Sequence, residues 1–472
     1  MTHAGEHSYD VLVVGGGPVG NTVAARMAGG GLTVALIESE LLGGECVYWA
    51  CIPSKALLHS VHALHAARRL PGSREAVTGQ LDAQAVFAHR DDVTHHHDDS
   101  GQAAVMASLG VTVVRGHGRL DGPRRVQVTT PGAGVLSLEA THAVILATGS
   151  TAHVPAIPGL REAAPWTNRD ATSAKDAPRR LVVMGGGPVG VEMAQAWRAL
   201  GSEQVILLQA GRHLLPRLER FAGERLLAGL QADDVDVRLG SSVVGVDRPV
   251  PGGEVTVRLA DGSSVVGDEL LVAAGREPAT ADLGLRTVGL EPGEIVTVDG
   301  TMRAEDSDWL YAIGDVNGRA LLTHQGKYQA RVAADALVAR TRGQQPSYVA
   351  EADTFAVPQV IFTDPEIAAV GLTAAQATER GMRVRTVEYE FGDVPGAALE
   401  AKGYSGRAAL VIDEGDHMIV GATFVGPNVA DLLHSATIAI VGRVPVELLR
   451  HAVPSFPTKS EVWLMLLSEY GL

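Results

Sequence analysis

Val11-Leu12-Val13-Val14-Gly15-Gly16-Gly17-Pro18-Val19-Gly20 returns later in the chain as Leu181-Val182-Val183-Met184-Gly185-Gly186-Gly187-Pro188-Val189-Gly190, identical at seven of ten positions. Each copy is a short apolar run, a glycine turn, and a helical pattern that begins near the third glycine. Each is followed by a second apolar run, residues 32–38 and Gln204–Gln209. Strand, turn, helix and strand, twice over, predict two parallel dinucleotide-binding units. Gly15 permits the tight turn, Gly17 lets backbone approach a pyrophosphate, and Gly20 allows close helix–strand packing. Gly185, Gly187 and Gly190 take the same places in the second copy. The helix N-terminus then offers unpaired N–H groups and a positive dipole end to phosphate. One such turn says little alone; two in the same context are specific.

Glu38 ends the second strand of the first unit, where a carboxylate can accept hydrogen bonds from an adenosine ribose or simply meet solvent. Gln209 holds that place in the second unit and carries no charge. An acid there would bind the 2′-hydroxyl of NADH and repel a 2′-phosphate. With Gln209 in its place and Arg212 close by, the second unit leans towards NADPH over NADH. A solvated loop arginine is the plain alternative for Arg212.

The 472 residues exceed what one core usually supports, so several domains are expected. An apolar share of 46% with 20% charged residues describes a well-buried globular protein. The net charge of −15, from 39 basic against 54 acidic residues, repels phosphate backbones and argues against nucleic acid. The apolar run 11–14 is too short for a signal-peptide core, and no later run reaches the ~18 residues of a membrane span. A soluble, cytoplasmic protein with no membrane partner is expected. His95-His96-His97-Asp98-Asp99 suggests a metal site, but adjacent residues do not share a helix face. It reads as a solvated helix end, with no metal.

Only two cysteines occur, Cys46 and Cys51. They could be unrelated buried thiols, since free cysteine packs as a small hydrophobe. A structural staple gains little from so short a loop and is disfavoured in reducing cytosol. A metal site would want further ligands at the right spacing. A catalytic dithiol is favoured.

Gly43-Gly44-Glu45-Cys46-Val47-Tyr48-Trp49-Ala50-Cys51-Ile52-Pro53-Ser54-Lys55 resembles the GG-x-C-(four residues)-C-x-P-[ST]-K signature of the class I pyridine nucleotide–disulfide oxidoreductases. That family includes dihydrolipoamide dehydrogenase, glutathione reductase and mercuric reductase. The likeness covers nearly the whole chain in order. It continues through Ala147-Thr148-Gly149, the second glycine turn, Ala274-Gly275-Arg276-x-Pro278, Tyr311-Ala312-Ile313-Gly314-Asp315 and Phe362-Thr363-x-Pro365-Glu366. The resemblance implies an α/β fold with two Rossmann-like dinucleotide-binding domains, for FAD and NAD(P), plus a C-terminal α+β dimerisation domain. Turn signals place the boundaries at 1–150 (FAD, first part), 151–275 (NAD(P)), 276–348 (FAD, central part) and 349–472 (homodimer interface).

The resemblance also implies roles. Asp315 would hydrogen-bond the ribityl chain and Glu38 the adenosine ribose, with Gly44, Thr148, Gly149, Gly275, Arg276 and Gly314 lining the cofactors. Cys51 would be the thiol nearest the flavin, and Cys46 the interchange thiol that attacks substrate. Lys55 would pair with Glu192 beside flavin and nicotinamide. The residues agree with this placement. A helix starting after Gly43-Gly44 would hold both cysteines in its early turns, where the dipole favours thiolate. Cys51 would then lie one helical turn before Lys55.

One segment departs from the family. Its members end in a His-Pro-Thr-x-x-Glu-like stretch whose histidine reaches into the partner subunit and shuttles protons to the interchange thiol. Here Ser455-Phe456-Pro457-Thr458-Lys459-Ser460-Glu461 puts Phe456 in the histidine's place and keeps Glu461, with His451 the nearest alternative. Phenylalanine transfers no proton, and a positioned acid/base contributes about 10²–10⁴-fold. Tyr48 and Trp49 make the loop between the cysteines aromatic. A mercuric reductase is disfavoured, because its extra cysteine pair is missing. Three readings follow, in this order: a reductase of a small-molecule disulfide, with another acid or water supplying protons; a reductase of quinones or similar acceptors; and an enzyme resembling 2-ketopropyl-coenzyme M oxidoreductase/carboxylase. That last enzyme shares the phenylalanine but replaces the paired glutamate. A flavoprotein without catalytic activity is the outside reading.

Overall fold

Residues 7–132 and 134–472 are described by the computed structural model, so residues 1–6 and 133 of the expected 1–150 segment lie outside it. The chain divides into two compact units. One takes residues up to Pro53, then Asp91–Ala152 and Arg276–Thr354; the other takes Ser54–Arg90, His153–Gly275 and Phe355–Leu472.

In the first unit, strands Val111–Arg115, Val34–Glu38, His7–Val14 and Gly134–Leu146 lie side by side in that order, all parallel. Leu310–Ala312 adds a parallel strand beside Gly134–Leu146. The near-continuous apolar runs 11–14 and 34–37 are buried throughout, as strands covered on both faces require. Arg125–Thr130 and His117–Leu120 continue the sheet antiparallel. Helices Pro18–Gly29 and Thr323–Thr341 pack together and contribute Val23, Met27, Ala333 and Leu337 to the same core.

The second unit repeats the pattern. Val235–Leu239, Gln204–Gln209, Arg180–Met184 and Glu269–Val272 form a parallel sheet, accompanied by the antiparallel strands Val243–Asp247, Val255–Leu259 and Ser264–Gly267. Its C-terminal part is a five-stranded antiparallel sheet in the order Pro358–Ile361, Glu366–Gly371, Met418–Gly426, Arg407–Asp413, Val384–Glu390. Helices Leu433–Val441 and Val462–Tyr470 pack on it. This is the α/β fold expected from the repeated glycine turns.

Both turns depend on glycine. Gly15 and Gly185 have φ of +105° and +117°, and a Cβ on either would strike a carbonyl oxygen, of Ala147 or Ala273. A Cβ on Gly20 or Gly190 would strike the carbonyl of the turn glycine itself.

Candidate functional site

Cys46 and Cys51 form a disulfide, their Cα atoms 4.7 Å apart. They do not share one helix, as the sequence had suggested. Cys46 is the third residue of the short helix Gly44–Tyr48, and Cys51 is the first residue of Cys51–Arg69. Trp49 ends the short helix at φ −137°, ψ 3°, outside helical values. Pro53 sits in the first turn of the next helix, where a missing N–H costs nothing. The Thr323 hydroxyl lies 3.5 Å from Cys51 Sγ and donates to it, because a disulfide sulfur carries no proton.

The loop between the cysteines is aromatic. Tyr48 is buried and its hydroxyl donates to the Leu42 carbonyl at 3.1 Å. Its ring, Trp49 and His97 lie with centroids 5.4 to 5.7 Å apart. His97 therefore corrects the reading of residues 95–99 as a solvated end: His95 and His96 are exposed, but His97 is half-buried against the cysteine loop. Among the described residues, no three His, Cys, Asp or Glu side chains are grouped to hold a metal ion.

In the first unit, Gly16 N donates to Glu38 Oε2 and Glu40 N to Glu38 Oε1, both at 2.6 Å. Burial nonetheless pushes the Glu38 carboxyl up, with these donors opposing. A Cβ on Gly17, the cap of helix Pro18–Gly29, would project into open space, leaving a cradle at the helix N-terminus. Asp315 follows strand Leu310–Ala312 in a tight turn, and Ser150 Oγ donates to its carboxylate at 2.5 Å. Arg276 Nε donates to Ser150 Oγ at 2.7 Å, while its terminal nitrogen reaches the Ser150 carbonyl at 2.6 Å and Glu45 Oε1 at 3.1 Å. Burial raises the Asp315 carboxyl, and Ser150 and Arg276 oppose it. Thr148 Oγ1 donates to the Ala279 carbonyl at 3.0 Å, and Gly149 and Gly314 both have positive φ. An open glycine cradle for a pyrophosphate, with buried carboxylates at Glu38 and Asp315 for sugar hydroxyls, fits FAD. Ser150 and Glu45 were not singled out from sequence, although each adjoins a motif residue.

In the second unit, Lys55 Nζ lies 2.7 Å from Glu192 Oε2. Glu192, on helix Pro188–Ala199, is only 4% exposed, and its other oxygen accepts from Phe362 N at 2.9 Å. Lys55 Nζ also sits 5.0 Å from the centre of the Phe362 ring. This pair is not ordinary surface charge. Gln209 Oε1 accepts from Gly186 N at 2.9 Å, the bond Glu38 makes in the first unit, here without the charge. Gly187 is open as Gly17 is, and Gly275 holds φ +122°. Arg212 is exposed and has no partner among the described residues.

The helix that carries Lys55 also joins a cluster around the buried Asp364 that the sequence did not reveal. His65 Nδ1 lies 2.8 Å from Asp364 Oδ2, which Arg69 also contacts. Burial pushes the Asp364 carboxyl up, but His65 and Arg69 outweigh it and hold the group below its usual value. Near the C-terminus, Phe456 is 75% exposed in the single chain, with Leu448, Val453, Ile438 and Val441 also exposed. Glu461 is 8% exposed, and its Oε2 has no hydrogen-bond partner among the described residues.

Comparison with known proteins agrees with this geometry. Residues 9–336 match the family model of pyridine nucleotide-disulphide oxidoreductases, and residues 357–466 match the dimerisation domain of the same family. The chain is 33% identical over 460 residues to a dihydrolipoyl dehydrogenase of Thermus scotoductus, covering 96% of this chain and 95% of that one. It is 30% identical over 471 residues to a leghemoglobin reductase of Glycine max, covering 97% and 87%. In fold it is similar to the HOCl-induced flavoprotein disulfide reductase RclA of Escherichia coli, with a TM-score of 0.83 at 24% identity over 98% and 99% of the two chains. LpdA of Mycobacterium tuberculosis gives a TM-score of 0.84 at the same identity and coverage. No helix of the described residues is long and apolar enough to cross a membrane. With two glycine-turn units, a disulfide in the signature segment and both family models matched, the chain belongs to the pyridine nucleotide–disulphide oxidoreductases, enzymes that use FAD and NAD(P)H.

Proposed function

We propose that this protein reduces a small-molecule disulfide with NADPH, through the Cys46–Cys51 pair. The observation that carries the reading is the placement of that disulfide at the start of the helix that continues to Lys55, whose ammonium is paired with the buried Glu192. FAD, when bound, would supply the chemistry that carries an electron pair from the nicotinamide to sulfur. The residues do the rest. Cys51, beside the Thr323 hydroxyl, is the flavin-side thiol. Cys46 attacks the substrate. NADPH, one proton and the disulfide thus give NADP+ and two thiols.

Lys55 and Glu192 fix charge beside the nicotinamide. Gly15, Gly17, Gly20, Glu38, Gly44, Thr148, Gly149, Gly314 and Asp315 hold FAD. Gly185, Gly187, Gly190, Gln209, Arg212 and Gly275 hold NADPH, and Arg276 links Ser150 to the Glu45 carboxylate next to Cys46. The segments 1–150 and 276–348 form the FAD domain, 151–275 the NAD(P) domain and 349–472 the interface of a homodimer. The exposed side chains of Leu448, Val453 and Phe456 support that interface. A reducing cytoplasm suits a dithiol of this kind.

Phe456 favours a second reading, a quinone-type acceptor reductase, because it offers an apolar wall and no proton. The deciding experiment is anaerobic reduction by NADPH followed by a panel of disulfides and quinones, comparing wild type with Cys46→Ser. Disulfide turnover lost in the variant supports the first reading. Quinone turnover kept by the variant, with no disulfide turnover in either protein, replaces it with the second.

A further inference from the structure

We propose that Gln195 is a positioning residue for the ion pair of Lys55 with Glu192, acting through the backbone of residues 362–364; this rests on the reading of that pair as the one beside the nicotinamide. Gln195 is fully buried and lies three residues after Glu192 on the same helix, so both side chains share one face. Its amide spans a single peptide residue. Asp364 N donates to Gln195 Oε1 at 2.8 Å, and Gln195 Nε2 donates to the Asp364 carbonyl at 2.9 Å. The same Nε2 donates to Asp233 Oδ2 at 2.6 Å, which fixes the orientation of the amide. Two residues earlier, Phe362 N donates to Glu192 Oε1.

Helix Pro188–Ala199 thus grips the segment twice, once with the proposed functional carboxylate and once with Gln195. The Asp364 side chain ties the segment to a second helix, since its carboxylate takes His65 and Arg69 from Cys51–Arg69. That helix carries Lys55. The ion pair therefore spans two helices that share a strut, and the Phe362 ring fills the space under the ammonium. Without the Gln195 amide, the Asp364 N–H and C=O would be buried and unpaired, the costly state for a backbone group. The segment would shift and carry the donor to Glu192 with it. A displacement of about 1 Å in a positioning group can cost about 100-fold in rate.

The test uses the FAD-loaded protein with Gln195→Met, which keeps the shape and removes all three hydrogen bonds of the amide. Stopped-flow flavin reduction by NADPH is expected to slow by about tenfold to 100-fold, with the half-saturating NADPH concentration little changed. Hydrogen exchange of the peptide holding Phe362 and Asp364 should speed up without NADPH present. Gln195→Met combined with Glu192→Gln should be no slower than Glu192→Gln alone, because both act on one carboxylate. A rate within about twofold of wild type, or slowing factors that multiply in the double variant, overturns the proposal. Should Gln195→Met not fold, Gln195→Glu keeps the acceptor for Asp364 N and loses the donor. Slower reduction is expected of it, and a wild-type rate sinks the idea. If Glu192→Gln itself leaves reduction unchanged, the reading of the pair fails instead, and the exchange result still reports whether Gln195 holds the segment.

Discussion

Phe456→His would place a proton carrier where the family's histidine stands, and Glu461 bears on the size of the effect. Glu461 is 8% exposed and has one buried oxygen without a hydrogen-bond partner among the described residues. A hydrogen bond to a charged group contributes about 1.5–3 kcal/mol. An imidazole that reaches that oxygen has its protonated form stabilised by this amount, which corresponds to roughly 1–2 pKa units. From a reference near 6.5, the introduced imidazole would titrate at about 7.5–8.5 before desolvation, which works in the opposite direction. The variant would then hold a proton at neutral pH and release it as the pH rises through that value. Disulfide turnover should rise by about tenfold or more, within the ~10²–10⁴ that such groups supply, since the surrounding shell is not built for an imidazole. The assay is steady-state NADPH oxidation with a generic disulfide from pH 6 to about 9.5, spanning the two predicted pKa limits. A new ionisation absent from wild type is expected. Flavin reduction by NADPH should hardly change, because hydride transfer does not pass through residue 456. Unchanged disulfide turnover together with collapse of the native acceptor reaction would refute the reasoning and favour the quinone or carboxylase-like reading.

Two-electron reduction of the wild type should give a long-wavelength absorbance that Cys51→Ser lacks; simple bleaching of the wild type would show that Cys51 is misassigned. Arg212→Ala should raise the KM for NADPH by about tenfold, or roughly 1.4 kcal/mol, and leave that for NADH unchanged. A preference for NADH that the substitution does not alter would exclude a 2′-phosphate contact at this arginine. Asp364 is held below the usual carboxylate value of 3.8, so its contribution to stability is present above that pH and lost as pH falls through the lowered value. Asp364→Asn should therefore lose stability at pH 7 and show a shallower further loss on acidification, read from thermal melts between pH 7 and about 3. Parallel losses in both proteins would contradict the sign of the shift.

The glycine turns were legible because the backbone demands them. At Gly15 and Gly185 a side chain would meet both a disfavoured φ and a carbonyl oxygen, so sequence and geometry state one constraint. The disulfide was legible from the spacing of Cys46 and Cys51. The break between their helices was not, since no glycine or proline in Val47-Tyr48-Trp49-Ala50 signals a stop. The packing of His97 against Tyr48 and Trp49 likewise has no local signature. Ser150 with Asp315, Arg276 with Glu45, and Gln195 with Asp364 meet across 165, 231 and 169 positions of chain. Polar partners so distant leave no periodicity. Only the folded chain brings them together.

The short span between the cysteines has a kinetic consequence. With Cα atoms 4.7 Å apart, each thiol released on reduction stays beside the other, held by the ends of two consecutive helices. Well-oriented intramolecular reactants reach effective molarities of about 10⁵–10⁸ M. On the proposed reading, a substrate held as a mixed disulfide on Cys46 would be expelled by Cys51 far faster than by a free thiol in solution. Such an adduct would then not accumulate, and the enzyme would stay free of substrate-derived modification through repeated turnover.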